Sequence, residues 1–122
     1  SENVLAVRLQ DGKAIWVTKL EGSHYRIEGG AGPRTTPAID GDKVYVLSSA
    51  GKLAALRLAD GQEVWQRDLL TASGVTQAEF EKEVSWGRSG SPLVVDNLVV
   101  VPLGGSADKG HKSIAAVDKQ TG

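Results

Sequence analysis

Lys43-Val44-Tyr45-Val46-Leu47-Ser48-Ser49-Ala50-Gly51-Lys52-Leu53-Ala54-Ala55-Leu56-Arg57-Leu58-Ala59-Asp60-Gly61-Gln62-Glu63-Val64-Trp65 reads as three consecutive strands joined by two tight turns. Val44–Ser48 is rich in β-branched and aromatic side chains, which suit a pleated, half-buried surface. Ser49-Ala50-Gly51 and Ala59-Asp60-Gly61 are turn signals, because glycine accepts the positive φ that such turns need. Ahead of this stretch, Thr36-Pro37-Ala38-Ile39 forms a short strand, and Asp40-Gly41-Asp42 turns the chain into it. Proline is tolerated there, at a strand's start. With Glu63–Leu69 as the last member, the segment is a four-stranded meander. Its links are short, so neighbours pair antiparallel.

The same pattern continues on both sides. Residues 4–9 read as a largely covered strand interrupted by Arg8, Asp11-Gly12 as a hairpin turn, and Ala14–Leu20 as the returning strand. Residues 21–34 are glycine-rich and polar, a loop with a short extended piece at 25–27. Residues 70–90 break the strand pattern. Thr76-Gln77-Ala78-Glu79 is a capping-box sequence, and Val75 and Phe80 stand where a hydrophobic staple would, which predicts a short helix over 77–83. Strands then resume at 91–95, 98–103 and 113–118, with a glycine-rich loop at 104–112.

Placing Gly12, Gly61 and Gly122 in register aligns three copies of one unit. Ala6-Val7-Arg8-Leu9 matches Ala55-Leu56-Arg57-Leu58 and Ala116-Val117-Asp118-Lys119, and Ile15-Trp16 matches Val64-Trp65. Pro37-Ala38-Ile39 matches Pro92-Leu93-Val94, and Val44-Tyr45-Val46 matches Val99-Val100-Val101. The offsets are 49, 61 and 55 residues, varied by inserted loops. A period near fifty with four strands per unit is the signature of a propeller blade. The fold class is therefore all-β: antiparallel four-stranded blades in a partial β-propeller, with one short helical insert near 77–83.

On these residues the chain resembles the pyrroloquinoline-quinone (PQQ)-like β-propeller repeat proteins, the quinoprotein alcohol dehydrogenase-like superfamily, with BamB-like and planctomycete-type members. The repeat of that family carries the tryptophan-docking motif Ala-x-Asp-x-x-Thr-Gly-Lys-x-x-Trp. Ala55 through Trp65 follows it with Arg57 at the aspartate and Asp60 at the threonine; Ala6 through Trp16 and Ala116 through Gly122 are further copies. The resemblance implies that Trp16 and Trp65 pack between neighbouring blades, each indole burying on the order of 200 Å². It divides the chain into the last two strands of one blade (4–20), a complete blade (36–69) and the first three strands of a further blade (91–122). Nine strands do not close a ring. The expectation is a fragment of a larger propeller whose open edges pair with other blades of the parent protein or with other copies of itself. The resemblance also places the protein in the periplasm or another extracytoplasmic compartment.

Composition excludes more than it assigns. Fourteen basic and fifteen acidic residues give a net charge of −1 without runs of either sign, which offers no electrostatic footprint for nucleic acid. No segment has the ~18 apolar residues of a membrane span. There is no cysteine, hence neither a disulfide nor a thiolate metal site, and no methionine. A chain that starts at Ser1 is expected to be processed or cut from something larger.

Chemistry-bearing residues are scattered, and the sequence nominates no catalytic residue and no metal site. His24 and His111 lie in separate loops without ligand spacing. Gly87-Arg88-Ser89-Gly90-Ser91 has the outline of a nucleophile elbow but no following helix. Asp40-Gly41-Asp42 lacks the calcium-loop pattern, since Tyr45 and Leu47 stand where oxygens belong. Aligning Pro37 with Pro92 superposes Gly32–Thr36 on Gly87–Ser91, two linkers into innermost strands that reach one face near the propeller axis. There Arg34, Trp86 and Arg88 form the candidate cofactor-binding set, guanidinium forks for carboxylates and an indole for stacking, suited to an anionic planar ligand such as PQQ. Two functions are carried forward. The first is a non-catalytic binding scaffold, without a cofactor of its own, for a protein or carbohydrate partner. The second is part of a PQQ-dependent dehydrogenase of alcohols or sugars. Relatives of that second kind use adjacent cysteines and a carboxylate calcium site, neither of which is visible in this sequence.

Overall fold

The computed structural model describes residues 2–20, 25–26, 30–31, 35–48, 50–69, 71, 90–102 and 114–122. Among them are eleven strands: β1 (Glu2–Val7), β2 (Ala14–Leu20), β3 (Tyr25–Arg26), β4 (Gly30–Ala31), β5 (Ala38–Asp40), β6 (Lys43–Leu47), β7 (Lys52–Arg57), β8 (Glu63–Asp68), β9 (Leu93–Val95), β10 (Leu98–Pro102) and β11 (Ile114–Asp118). Three antiparallel sheets carry the architecture. The first is β1–β2, the second β5–β6–β7–β8 and the third β9–β10–β11; β3 and β4 pair as a minimal ribbon. Of the extended piece expected at 25–27, residues 25–26 are half of a two-strand pair, and residue 27 lies outside the described residues. The helix expected over 77–83 lies outside the described residues.

The second sheet lies between the other two, and its burial shows it. Val44 through Leu47 on β6 and Leu53 through Leu56 on β7 are all buried, so both of their faces are covered. On β2 and β11 burial alternates, the mark of a strand covered on one face only. Toward the first sheet, Val44, Val46, Ala54 and Leu56 pack with Leu20, Val4 and Trp16. Toward the third sheet, Tyr45, Leu47, Leu53, Ala55, Trp65 and Leu69 pack with Val99, Val101, Val94, Ala115 and Val117.

Register repeats along with sequence. The β1–β2 ladder shifts between Ala6 and Val7, and the β7–β8 ladder shifts between Ala55 and Leu56, the aligned pair in the next copy. The glycines that close these turns have nearly the same φ: 70° at Gly12, 73° at Gly61 and 75° at Gly122. A left-handed residue is required at this point, and glycine meets the requirement without a Cβ penalty. The equivalent of Gly41 (φ 60°) is Asp96 (φ 50°), and aspartate is among the few side chains that tolerate that region.

One expectation is corrected. Residues 4–9 do not form a covered strand. β1 ends at Val7, Arg8 opens the turn by bonding the carbonyl of Lys13, and Leu9 is fully exposed. Leu5 and Val7 are 55 % and 48 % exposed, because among the described residues nothing packs on the face of β1 that points away from the second sheet.

Candidate functional site: the indole docks and the inner linkers

The repeated chemistry of this chain sits where one sheet meets the next. Trp16 on β2 reaches the turn of the second sheet and donates its indole N–H to the carbonyl of Leu58 at 2.8 Å. Trp65 on β8 does the same to the carbonyl of Lys119 in the third sheet, at 2.9 Å. Leu58 and Lys119 each stand three residues before a turn glycine, and the glycine lies under the indole. A Cβ on Gly61 would overlap the ring of Trp16, and one on Gly122 would lie 2.8 Å from the ring of Trp65. Glycine is needed here twice, for the backbone angle and for the ring.

A second donor follows two residues after each tryptophan. Thr18 Oγ1 donates to the carbonyl of Gly61 at 2.5 Å, and Arg67 Nε donates to the carbonyl of Gly122 at 2.6 Å, with Arg67 Nη2 on Thr121. A hydroxyl and a guanidinium have little in common except the ability to donate, which is the property the position uses. The sequence reading overlooked this position. Its signal was available: both residues stand six places after the turn glycine of their own copy.

The turns themselves are held in two chemical ways. In the first two copies the aspartate comes late: Asp11 Oδ1 accepts the Lys13 amide and Asp60 Oδ1 the Gln62 amide, while Arg8 and Arg57 pair with those carboxylates at 3.4 Å and 3.2 Å. In the third copy Asp118 comes early and accepts the amides of Gln120 and Thr121 at 2.8 Å and 3.1 Å. Those two backbone hydrogen bonds hold its carboxyl below the usual range. Arg57 and Asp60, departures from the family motif, thus form a compensating pair.

Around the second dock, the Tyr45 hydroxyl also donates to the Lys119 carbonyl at 3.3 Å, and its ring lies 6.0 Å from that of Trp65. Burial pushes the Tyr45 phenol up. Lys119 Nζ bridges to Asp40 Oδ2 at 2.9 Å, tying the second sheet to the third. Its ammonium pKa is raised, first by that hydrogen bond.

The inner linkers meet. The Thr36 amide donates to Ser91 Oγ at 2.8 Å, joining two aligned positions of consecutive copies. One residue earlier the copies differ: Thr35 Oγ1 donates to the carbonyl of Leu47, whereas a Cβ on Gly90 would overlap the ring of Pro102, the aligned partner of Leu47. Arg34, Trp86 and Arg88 lie outside the described residues, as do His24 and His111. Beside these linkers a groove of about 190 Å³ runs between β1 and the second sheet, lined by Asn3, Val4, Leu5, Leu20, Thr35, Pro37, Val46 and Leu47. Its lining is mainly apolar, and its one outer wall is β1, which has a single pairing partner among the described residues. No three His, Cys, Asp or Glu among the described residues are grouped to hold a metal ion, and no described helix is long and apolar enough to cross a membrane.

Consecutive antiparallel sheets of one repeated unit, the middle one four-stranded, joined by tryptophan docks, define a β-propeller repeat protein. The sequence model of the family described as "Outer membrane protein assembly factor BamB" matches residues 1–122, and the chain belongs to that PQQ-like repeat family. Over 125 residues it is 29 % identical to the quinohemoprotein alcohol dehydrogenase ADH-IIG of Pseudomonas putida, covering 98 % of this chain and 16 % of that protein. Among solved structures, BamB from Moraxella catarrhalis aligns over 100 % of this chain and 30 % of its own, with 25 % identity and a TM-score of 0.60. The quinohemoprotein alcohol dehydrogenase from Comamonas testosteroni aligns over 98 % of this chain and 17 % of its own, with 28 % identity and a TM-score of 0.64. The chain therefore spans less than a third of the length of these relatives.

Proposed function

We propose that this chain belongs to a non-catalytic interaction scaffold: consecutive blades of a longer, extracytoplasmic PQQ-like propeller that presents its loops and axial face to a protein or carbohydrate partner. By this reading residues 4–20, 36–69 and 91–122 are the last two strands of one blade, a whole blade and three strands of a third. The edges of β1 and β11 take further blades of the parent protein, or copies of the chain. The observation that carries the reading is the use made of the repeated polar groups. Trp16, Trp65, Thr18 and Arg67 all donate to turn carbonyls of the next sheet, so the geometry repeated within the chain serves assembly. The match to an assembly-factor family supports the same side, and both kinds of relative support the extracytoplasmic placement.

The similarity to quinohemoprotein alcohol dehydrogenases favours a second reading, part of a PQQ-dependent oxidoreductase of alcohols or sugars. In it Arg34, Trp86 and Arg88 hold the quinone's carboxylates and ring where the inner linkers converge. The Thr36–Ser91 contact supports that convergence. The described residues themselves do not make a cradle. Thr35 and Ser91 use their hydroxyl groups to fix the linkers, and no carboxylate cluster for calcium lies among them. Reconstitution of the longest polypeptide containing this chain with PQQ and calcium separates the two. The scaffold reading expects no saturable PQQ binding and no dye reduction with alcohols or sugars. Turnover would overturn it.

A further inference from the structure

We propose that the turn Asp40–Gly41 is a site of spontaneous covalent modification, where aspartate isomerises to isoaspartate, and that Lys119 of the third sheet restrains the reaction. An aspartate followed by glycine is open to this chemistry because no Cβ shields the glycine nitrogen. That nitrogen attacks the aspartate Cγ and a C–N bond forms. The amide proton and the carboxyl hydroxyl leave together as water, and a five-membered imide results. Water then opens the ring at either carbonyl. Opening at the main-chain carbonyl leaves the chain running through the side-chain carbon, which is isoaspartate. No oxidant, reductant or cofactor enters, and the net composition is unchanged.

The chain holds three such pairs, Asp11–Gly12, Asp40–Gly41 and Asp60–Gly61, and their surroundings rank them. The amides of Gly12 and Gly61 donate to the carbonyls of Arg8 and Arg57 at 2.7 and 2.8 Å. The carboxylates of Asp11 and Asp60 accept the amides two residues on and pair with the same two arginines. Gly61 is closed further by the ring of Trp16 and by Thr18 on its carbonyl. Gly12 has open space around it, but its nitrogen is committed.

Gly41 combines an open site with a free nucleophile. Among the described residues its amide donates to no acceptor, and no atom lies within 4 Å of the place where a Cβ would stand. The partly exposed Asp40 carboxyl is held by Lys119 Nζ, on Oδ2 at 2.9 Å. The reaction removes one carboxyl oxygen and leaves the other uncharged, so it must give up this ion pair. That is how Lys119 restrains it. Asp40 pairs with Lys43 across a two-residue turn, and isoaspartate would add one atom to the main chain of that turn. The modification therefore strikes both the β5–β6 hairpin and the tie between the second and third sheets. In the third copy Val95 and Asp96 stand at these places, and the reaction has no substrate there.

The test is to age the folded chain at mildly acid pH, digest it, and read the three Asp-Gly peptides by electron-transfer fragmentation, which separates isoaspartate from aspartate. Isoaspartate at position 40 is expected to form about fivefold faster, or more, than at 11 or 60, where a backbone hydrogen bond must first break. Lys119→Ala should raise the rate at 40 about threefold relative to that at 60, the worth of a partly exposed ion pair. Taking the ratio removes any general loosening of the fold by the variant. Faster reaction at 11 or 60, or equal rates at all three sites, would overturn the proposal. An unchanged ratio in Lys119→Ala would overturn the role given to Lys119. No isoaspartate at 40 after a time in which a free peptide of residues 36–46 forms it would overturn the site itself.

Discussion

The interface between the first and second sheets and the one between the second and third are built by the same rule and completed to different degrees. Ile39 and Val94 occupy the same place in consecutive copies. Val94 packs on the core formed by Tyr45, Leu47, Leu53 and Trp65, while Ile39 is 64 % exposed. The difference lies in the neighbour. Val94 faces a sheet with its inner strands present; Ile39 faces β1–β2, which offers two strands. Trp65 is accordingly 8 % exposed and Trp16 only partly buried. An indole dock fixes where two blades meet, and the inner strands supply most of the apolar area that the meeting buries.

Removing the indoles should break this comparison most strongly. Trp65→Ala is expected to destabilise the chain by about 3–5 kcal/mol, the range for a buried aromatic. Trp16→Ala, at the incomplete interface, should cost roughly half as much. Urea unfolding of both variants measures the pair; equal losses would mean the two interfaces do not differ as described. A smaller contrast is expected at the turn glycines. Gly12→Ala should cost about 1 kcal/mol, the penalty of a side chain in the left-handed region. Gly61→Ala adds overlap with the ring of Trp16 and should reach about 2–4 kcal/mol.

The two turn chemistries sharpen the comparison by pH. Asp118 has a lowered pKa through its bonds to the Gln120 and Thr121 amides. A group of that kind contributes stability above its unfolded pKa of about 3.9, and the contribution is lost as pH falls through the folded value. Carboxyl NMR should show Asp118 titrating below ordinary aspartates, and Asp118→Asn should flatten the acid limb of the stability curve. An Asp118 that titrates at the ordinary value would contradict the turn geometry. The smallest effect belongs to Asp96→Gly. It relieves the left-handed φ of 50° but adds freedom to the unfolded chain, for a net gain of about 0.5 kcal/mol or less. A loss of 1 kcal/mol in thermal unfolding would indicate that the Asp96 side chain is itself a structural contact.

Much of this architecture was legible in the sequence because the repeat aligns residues that do the same work. Gly12, Gly61 and Gly122 located the turns, and Trp16 and Trp65 located the joints. Burial was less legible. Leu5 and Val7 are as apolar as Leu53 and Leu56, and only the arrangement of sheets shows which pair is covered. The second donors, Thr18 and Arg67, escaped notice because side-chain identity differs while hydrogen-bond capacity is shared. Arg57 and Asp60, which stand at the motif's aspartate and threonine, form an ion pair that the sequence alone does not reveal. Arg34, Trp86 and Arg88, chosen from the aligned linkers, remain a proposal that Thr36–Ser91 supports only for their neighbours.

The central claim is that the indoles of Trp16 and Trp65 join consecutive sheets through their N–H groups. Hydrogen exchange of the two indole N–H protons, read one residue at a time, tests it most directly. The account predicts both protected, and Trp65 more slowly exchanging than Trp16, because its dock sits in the more fully buried interface. Exchange of either proton at the rate of a free indole would contradict the claim.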